Sequence, residues 1–129
     1  MTGGSRAASV PAVELKVATR SHAGHTVVTI VGEIDLYTAP RLQAEFTRLL
    51  GQSQTMLVVL DMSAVEFCDS TGMNVLLSAL KRLRERGGTL EVAAPRPAVR
   101  KILQVTGLDS VFVVHETLPE KLMTSESQG

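Results

Sequence analysis

The stretch Leu57-Val58-Val59-Leu60-Asp61-Met62-Ser63-Ala64-Val65-Glu66-Phe67-Cys68-Asp69-Ser70-Thr71-Gly72-Met73 decides the architecture. Its first four residues are a short continuous apolar run, which suits a central strand covered on both faces by helices. The strand is read to end at Asp61. A loop then crosses the C-terminal edge of the sheet, and Asp69-Ser70-Thr71-Gly72 opens the longest helix, predicted over residues 70–86. Met73, Leu76, Leu77, Leu80 and Leu83 fall on one face of that helix. Lys81, Arg82, Arg84 and Arg86 crowd its last turns, and Gly87-Gly88 stops it. These cations suit the negative end of the helix macrodipole, and they also offer a docking surface to an acidic partner.

Working outward toward the N-terminus, Val13, Leu15 and Val17 alternate with polar or small residues, the period of a half-buried edge strand. Ser21-His22-Ala23-Gly24-His25 supplies turn chemistry, and Thr26-Val27-Val28-Thr29-Ile30-Val31 is β-branched throughout, so the two runs predict a hairpin whose second strand ends at Gly32. Thr38 before Ala39-Pro40 marks a helix start, with the threonine as cap and Leu42, Phe46, Leu49 and Leu50 as the inward stripe. Toward the C-terminus, Leu90, Val92 and Ala93 make a fourth strand. Residues 96–105 make a helix burying Val99, Ile102 and Leu103 that ends at Gly107, and Val111-Phe112-Val113-Val114 makes a fifth strand. Residues 118–123 add a short terminal helix with Pro119 in its first turn. The order predicts an α/β fold: one mixed sheet of about five strands, parallel apart from the N-terminal hairpin, with right-handed crossovers and about four helices. Residues 13–123 form the domain, and residues 1–12 and 124–129 read as solvated tails.

Bulk properties remove several function classes. A chain of 129 residues, 44% hydrophobic, has length for one core. Thirteen basic residues balance thirteen acidic ones, so no net field draws the chain to nucleic acid or to an anionic membrane. There is no tryptophan, and Tyr37, Phe46, Phe67 and Phe112 alone make a poor base-stacking platform. Cys68 is the single cysteine, and His22, His25 and His115 have no acidic or thiol partners at metal spacing, so neither a disulfide nor a metal site is expected. Residues 1–12 lack the apolar stretch of a signal peptide, and residues 56–60 are far too few to cross a bilayer. A cytoplasmic protein without a cofactor is expected, monomeric when free, although an exposed edge strand gives it a route to pairing.

The chemistry concentrates at the opening of the longest helix. Asp69 or Ser70 can cap it by accepting a hydrogen bond from an amide that has no intrahelical partner. Gly72 sits in the first turn, where alanine is better by about 1 kcal/mol, so a close backbone approach or open access to Ser70 is indicated. A phosphoryl group on Ser70 would lie at the positive end of a helix dipole, and would add about two negative charges beside Asp69 and Glu66. As a nucleophile Ser70 lacks support: there is no Gly-x-Ser-x-Gly elbow and no histidine placed by a motif beside it. Neither a Gly-x-x-x-x-Gly-Lys-Ser/Thr nor a Gly-x-Gly-x-x-Gly nucleotide motif is present.

The segments Gly32-Glu33-Ile34-Asp35 and Asp69-Ser70-Thr71-Gly72-Met73, with the helix and apolar strand between them, resemble the STAS domains of bacterial anti-sigma factor antagonists, over residues 13–122. The resemblance implies that Ser70, directly after the aspartate, is the phosphoacceptor, with Thr71 as the flanking hydroxyl. It implies a partner that is both anti-sigma factor and serine kinase, with ATP belonging to that partner. Unphosphorylated antagonist binds the anti-sigma factor and frees its sigma factor; phosphorylation breaks the complex and a serine phosphatase restores it. The matching surface combines Glu33 and Asp35 with Asp69, Ser70, Thr71 and Gly72, bordered by Tyr37, Thr38 and Phe67. Residues 32–35 also read as a plain turn, and Phe67 reads equally well as a core residue under the loop. Two departures fall at this surface: Asn74 stands where many relatives carry glycine, and Cys68 replaces a larger apolar residue.

Two other readings compete. In a scaffold subunit of a stress-sensing assembly the same motif serves assembly, usually beside an additional N-terminal sensor domain. A receiver-like module would be phosphorylated on Asp61, but receivers need a lysine after the fifth strand, and here Val114 leads into His115-Glu116-Thr117.

Overall fold

The computed structural model describes residues 15–22, 24–51 and 56–119. β1 (Lys16–His22) and β2 (His25–Ile34) form the expected antiparallel hairpin, turning at Gly24, whose φ of 84° favours a residue without a β-carbon. The Gly24 carbonyl accepts from the amides of Met56 and Leu57, at 2.9 and 3.2 Å, and so anchors the start of β3 (Leu57–Cys68) to the hairpin tip. β4 (Thr89–Ala93) and β5 (Val113–His115) complete a five-stranded sheet in the order β1-β2-β3-β4-β5, parallel from β2 onward. The helices are α1 (Ala39–Leu50), α2 (Ser70–Arg84) and α3 (Pro97–Thr106), the last followed by a 3-10 turn at Leu108–Ser110. Leu118 and Pro119 are not helical; the remainder of the predicted terminal helix lies outside the described residues.

The three helices among the described residues lie on one face. Val28, Ile30, Val58, Leu60, Leu90 and Val92 from the strands share a single cluster with Leu42 and Phe46 of α1, Leu76 and Leu80 of α2, and Val99 and Leu103 of α3. The other face carries a small patch of Val27, Val59 and Ala93, joined by Leu57 and Leu118 and, among the described residues, by no helix residue. Among the described residues no helix covers the second face of β3, where one was expected; residues 120–123 of the predicted terminal helix lie outside them. The strands follow one another side by side, so every crossover steps in the same direction, and crossovers of one hand leave their helices on one side.

A second correction concerns the length of the central strands. β3 does not stop at Asp61, nor β2 at Gly32. The pairing runs on through Val31↔Ala64, Gly32↔Val65 and Glu33↔Phe67 to Ile34↔Cys68, with irregularities between Thr29 and Val31 and between Gly32 and Glu33. Gly32 has φ 122°, which lets β2 pass through a bulge and continue. β4 pairs only as far as Asp61↔Ala93 and then turns away at Ala94, with φ 56°, ahead of Pro95. Beyond that point the β2–β3 ribbon carries the chain to the start of α2.

The predicted stops hold locally. α2 ends at Arg84 rather than Arg86; Gly87, with φ 83°, reverses the chain, and the Gly88 amide donates to the Leu83 carbonyl at 2.8 Å. α3 ends at the left-handed Gly107. The fifth strand starts later than expected because the buried Phe112 belongs to the preceding turn, its amide donating to Leu108 at 2.9 Å. Arg86, the one of the four cations that lies beyond α2, donates its guanidinium to the Leu50 carbonyl at the end of α1, so it serves helix packing.

Candidate functional site

The end of β2 enters α1 through a turn organised by Asp35. Its Oδ1 accepts from the amides of Tyr37 and Thr38, at 2.9 and 3.0 Å, and its carbonyl accepts from Ala39 at 2.8 Å. The cap is thus Asp35, not Thr38 as the sequence suggested. Thr38 already has helical torsions, φ −96° and ψ −17°, and makes no side-chain cap. Its hydroxyl instead donates to the Glu33 carbonyl at 2.7 Å and accepts from the Asp35 amide at 2.9 Å, stitching the strand end to the turn. At 8% exposure Thr38 lies beneath the surface it was expected to border.

The start of α2 is built the same way. Asp69 is extended, with φ −91° and ψ −174°, and its Oδ1 accepts from the Gly72 amide at 2.9 Å, so the aspartate is the cap and the serine is not. The Asp69 amide donates to the Ile34 carbonyl at 3.0 Å, tying this cap to the end of β2. Ser70 therefore takes the first helical position. It is exposed, and its hydroxyl makes no hydrogen bond among the described residues. Gly72 is buried, and a β-carbon there would lie 2.6 Å from Ile34 Cγ2 and 2.8 Å from Cys68 Sγ. Close approach of the helix to both strands is the reason for glycine. Cys68 is buried under this contact, and its thiol is pushed up to about 12, chiefly by desolvation and further by the Asp69 charge.

Three of the sequence-selected residues are therefore structural: Thr38 and Gly72 lie under the surface, and Asp69 divides its carboxylate between capping and the surface. Glu33, Asp35, Tyr37, Phe67, Ser70 and Thr71 are brought to one end of the molecule, where β2, β3 and the first turns of α1 and α2 meet. The Glu33↔Phe67 pairing sets these two residues side by side in the ribbon. Phe67 is 47% exposed, which settles its two readings in favour of the surface, and Tyr37 is 86% exposed. Glu66 is exposed one residue before Phe67, so four carboxylates, Glu33, Asp35, Glu66 and Asp69, gather at this end.

Sequence reading missed Leu36, which is 63% exposed in the Asp35 turn. The signal was there: Leu36 falls outside the Leu42-Phe46-Leu49-Leu50 stripe, so a leucine stands in a turn with no core position to fill. It lines an apolar groove of about 430 Å³ between α1 and α2, with Ala39, Pro40 and Ala44 on one wall and Thr71 and Val75 on the other.

Asp61 is not at this end. It lies inside β3, paired between Thr29 and Ala93, and its Oδ1 accepts from the amide and hydroxyl of Ser63 at 3.1 and 2.8 Å. A strand-end phosphoacceptor at Asp61 has no counterpart in this geometry. His25 sits at the far end of β2, and His115 Nε2 is 2.7 Å from Glu91 Oε1, so neither is placed to activate Ser70. Among the described residues no group of three or more His, Cys, Asp or Glu side chains is placed to hold a metal ion. No helix among them is long and apolar enough to cross a membrane.

A mixed sheet with the described helices on one face, and an accessible serine at the head of the helix that follows the central strand, define a small α/β module. The STAS domain matches residues 16–121, and the chain belongs to that family. It is similar to the anti-sigma-F factor antagonist of Mycobacterium tuberculosis, 32% identical over 108 residues that cover 84% of this chain and 87% of the relative. It is 31% identical over 85 residues to the anti-sigma-B factor antagonist of Bacillus subtilis, covering 66% of this chain and 76% of that one. A crystal structure of an anti-sigma factor antagonist from Mycobacterium paratuberculosis has a TM-score of 0.77 at 34% identity, over 90% of this chain and 97% of that one.

Proposed function

We propose that this chain is an anti-sigma factor antagonist that works by partner switching in the cytoplasm. In its unphosphorylated form it binds an anti-sigma factor that is also a serine kinase, so that the sigma factor is released. Phosphorylation of Ser70 ends that complex, and a serine phosphatase renews it. The observation that carries the reading is the exposed Ser70 hydroxyl at the first position of α2. It is left without a partner among the described residues because Asp69 does the capping.

Several features support it physically. The acceptor stands on a rigid base, since Asp69 is bonded to both Gly72 and Ile34 and Gly72 packs on Ile34 and Cys68. A phosphoryl group would add a tetrahedral volume and about two negative charges at the centre of a surface made by Glu33, Asp35, Tyr37, Phe67, Asp69, Ser70 and Thr71. Helix N-terminal amides tolerate the charge, so the fold keeps its shape while the contact surface changes. In this reading the chain is a binding module that uses its partner's ATP, is monomeric when free, and comprises a domain over residues 13–123.

The test is reconstitution with each purified serine-kinase anti-sigma factor encoded in the source genome. With ATP, peptide-resolved mass spectrometry should place phosphate on Ser70 of the wild type and none on Ser70→Ala. Ser70→Ala should keep its affinity in the absence of ATP, and Ser70→Asp should lose at least tenfold. Phosphate elsewhere, or a complex indifferent to Ser70→Asp, would sink the proposal.

A further inference from the structure

The N-terminal hairpin leaves β1 as an edge strand. Among the described residues no strand pairs with its outer side, so alternate N–H and C=O groups along it face away from the sheet. The opposite edge, β5, is three residues long and offers little ladder, whereas β1 has seven residues paired to β2 in one unbroken register, a length of about 20 Å. Its side chains divide by face. Val17 and Thr19, opposite Ile30 and Val28, are half-buried on the helix-covered side. Lys16, Ala18 and Arg20, opposite Val31, Thr29 and Val27, are exposed on the other side. β1 itself carries no carboxylate. In the row of Ala18 and Thr29 the carboxylate is Asp61, two strands and about 10 Å inward, and it is bonded to Ser63.

The two cations decide what this edge accepts. A second copy pairing antiparallel, with its faces matched, meets like charge. Centred on Ala18, such a pairing sets Lys16 directly opposite the copy's Arg20; centred on Thr19, it makes them diagonal neighbours; centred on Arg20, it sets arginine against arginine. An acidic strand meets opposite charge instead. We propose that the outer edge of β1 is a strand-addition site for an extended acidic segment of another protein. The added strand bonds to the outward peptide groups, sets carboxylates four residues apart against Lys16 and Arg20, and lays β-branched side chains beside Val17 and Thr19. The same cations that admit an acidic strand keep the edge from pairing with itself. This site lies on a different element from Ser70 and does not depend on the switch there.

The probe is the peptide acetyl-Thr-Glu-Val-Thr-Val-Glu-Thr-amide, compared with its counterpart carrying lysine in place of both glutamates. In isothermal titration with the full chain, the glutamate peptide should bind about tenfold more tightly than the lysine peptide, and hydrogen exchange should slow at the outward amides of β1 but not in α1 or α2. Lys16→Glu combined with Arg20→Glu should reverse the preference. Of Ala18→Pro and Thr19→Pro, one removes an amide that points away from β2; whichever variant keeps the wild-type melting temperature should no longer bind. Equal affinity for the two peptides, protection confined to the Ser70 end, or no binding of the glutamate peptide at millimolar concentration would each overturn the proposal. So would a wild-type dimer in sedimentation that the same proline breaks, because the edge would then belong to a second copy.

Discussion

A β-carbon at position 72 would overlap Ile34 Cγ2 and Cys68 Sγ, at 2.6 and 2.8 Å, and neither neighbour has room to retreat in a buried contact. Gly72→Ala is therefore expected to destabilise the fold by about 1–3 kcal/mol, the usual cost of overpacking, even though alanine is the better helix former; urea denaturation at equilibrium measures it, and a neutral result would mean that α2 can slide. The neighbouring Cys68 thiol carries a pH signature. Burial raises it from its ordinary 9.0 to about 12, so below about pH 8 both folded and unfolded chains hold the proton. Above that the unfolded chain ionises first, and stability should fall as pH climbs from about 9 toward 12. Cys68→Ser should flatten that decline. Iodoacetamide at pH 8 should alkylate Cys68 only as fast as the native chain opens.

Among the elements, the reversal from α2 into β4 is the one least open to change. A β-carbon on Gly88 would lie 2.4 Å from the Met56 carbonyl oxygen, which is backbone and cannot rotate away, and that carbonyl is already bonded to the Thr89 amide at 2.8 Å. Gly88→Ala should lower the melting temperature more than Gly72→Ala does, and calorimetry on the two variants tests the order. The element order, the hairpin, the mixed sheet and the glycine stops were legible because each rests on local chemistry: alternation, β-branching, Gly87 and Gly107. What was not legible depends on pairing at a distance. Residues 62–68 read as a loop because Ser63, Ala64 and Glu66 break the apolar run, yet pairing with β2 makes them strand. Capping was assigned one residue late at Ser70 as an alternative and three late at Thr38, since Asp, Ser and Thr are interchangeable caps in sequence and only the torsions separate them. The cluster of Glu33, Asp35, Phe67 and Ser70 was found through family likeness, while Leu36 and the groove needed the packed helices.

On the scale of the whole molecule, neutrality conceals a division of charge. Glu33, Asp35, Glu66 and Asp69 stand at the head of α2, and Lys81, Arg82 and Arg84 lie in its last turn. At 1.5 Å per residue the two groups are about 20 Å apart, beyond the screening length of physiological salt, so a partner at one end does not feel the other. The Asp69 cap has a consequence for the enzymes that would write and erase a mark on Ser70. Because the serine is held in a helical turn braced against two strands, it is offered as part of a relief and not as a word in an unfolded string. A kinase or phosphatase for it must read topography. A synthetic peptide of residues 64–76 should therefore be a substrate at least a hundredfold poorer than the folded chain, as steady-state phosphorylation of the two side by side would reveal, and comparable turnover of the peptide would mean that the surrounding architecture is irrelevant to recognition.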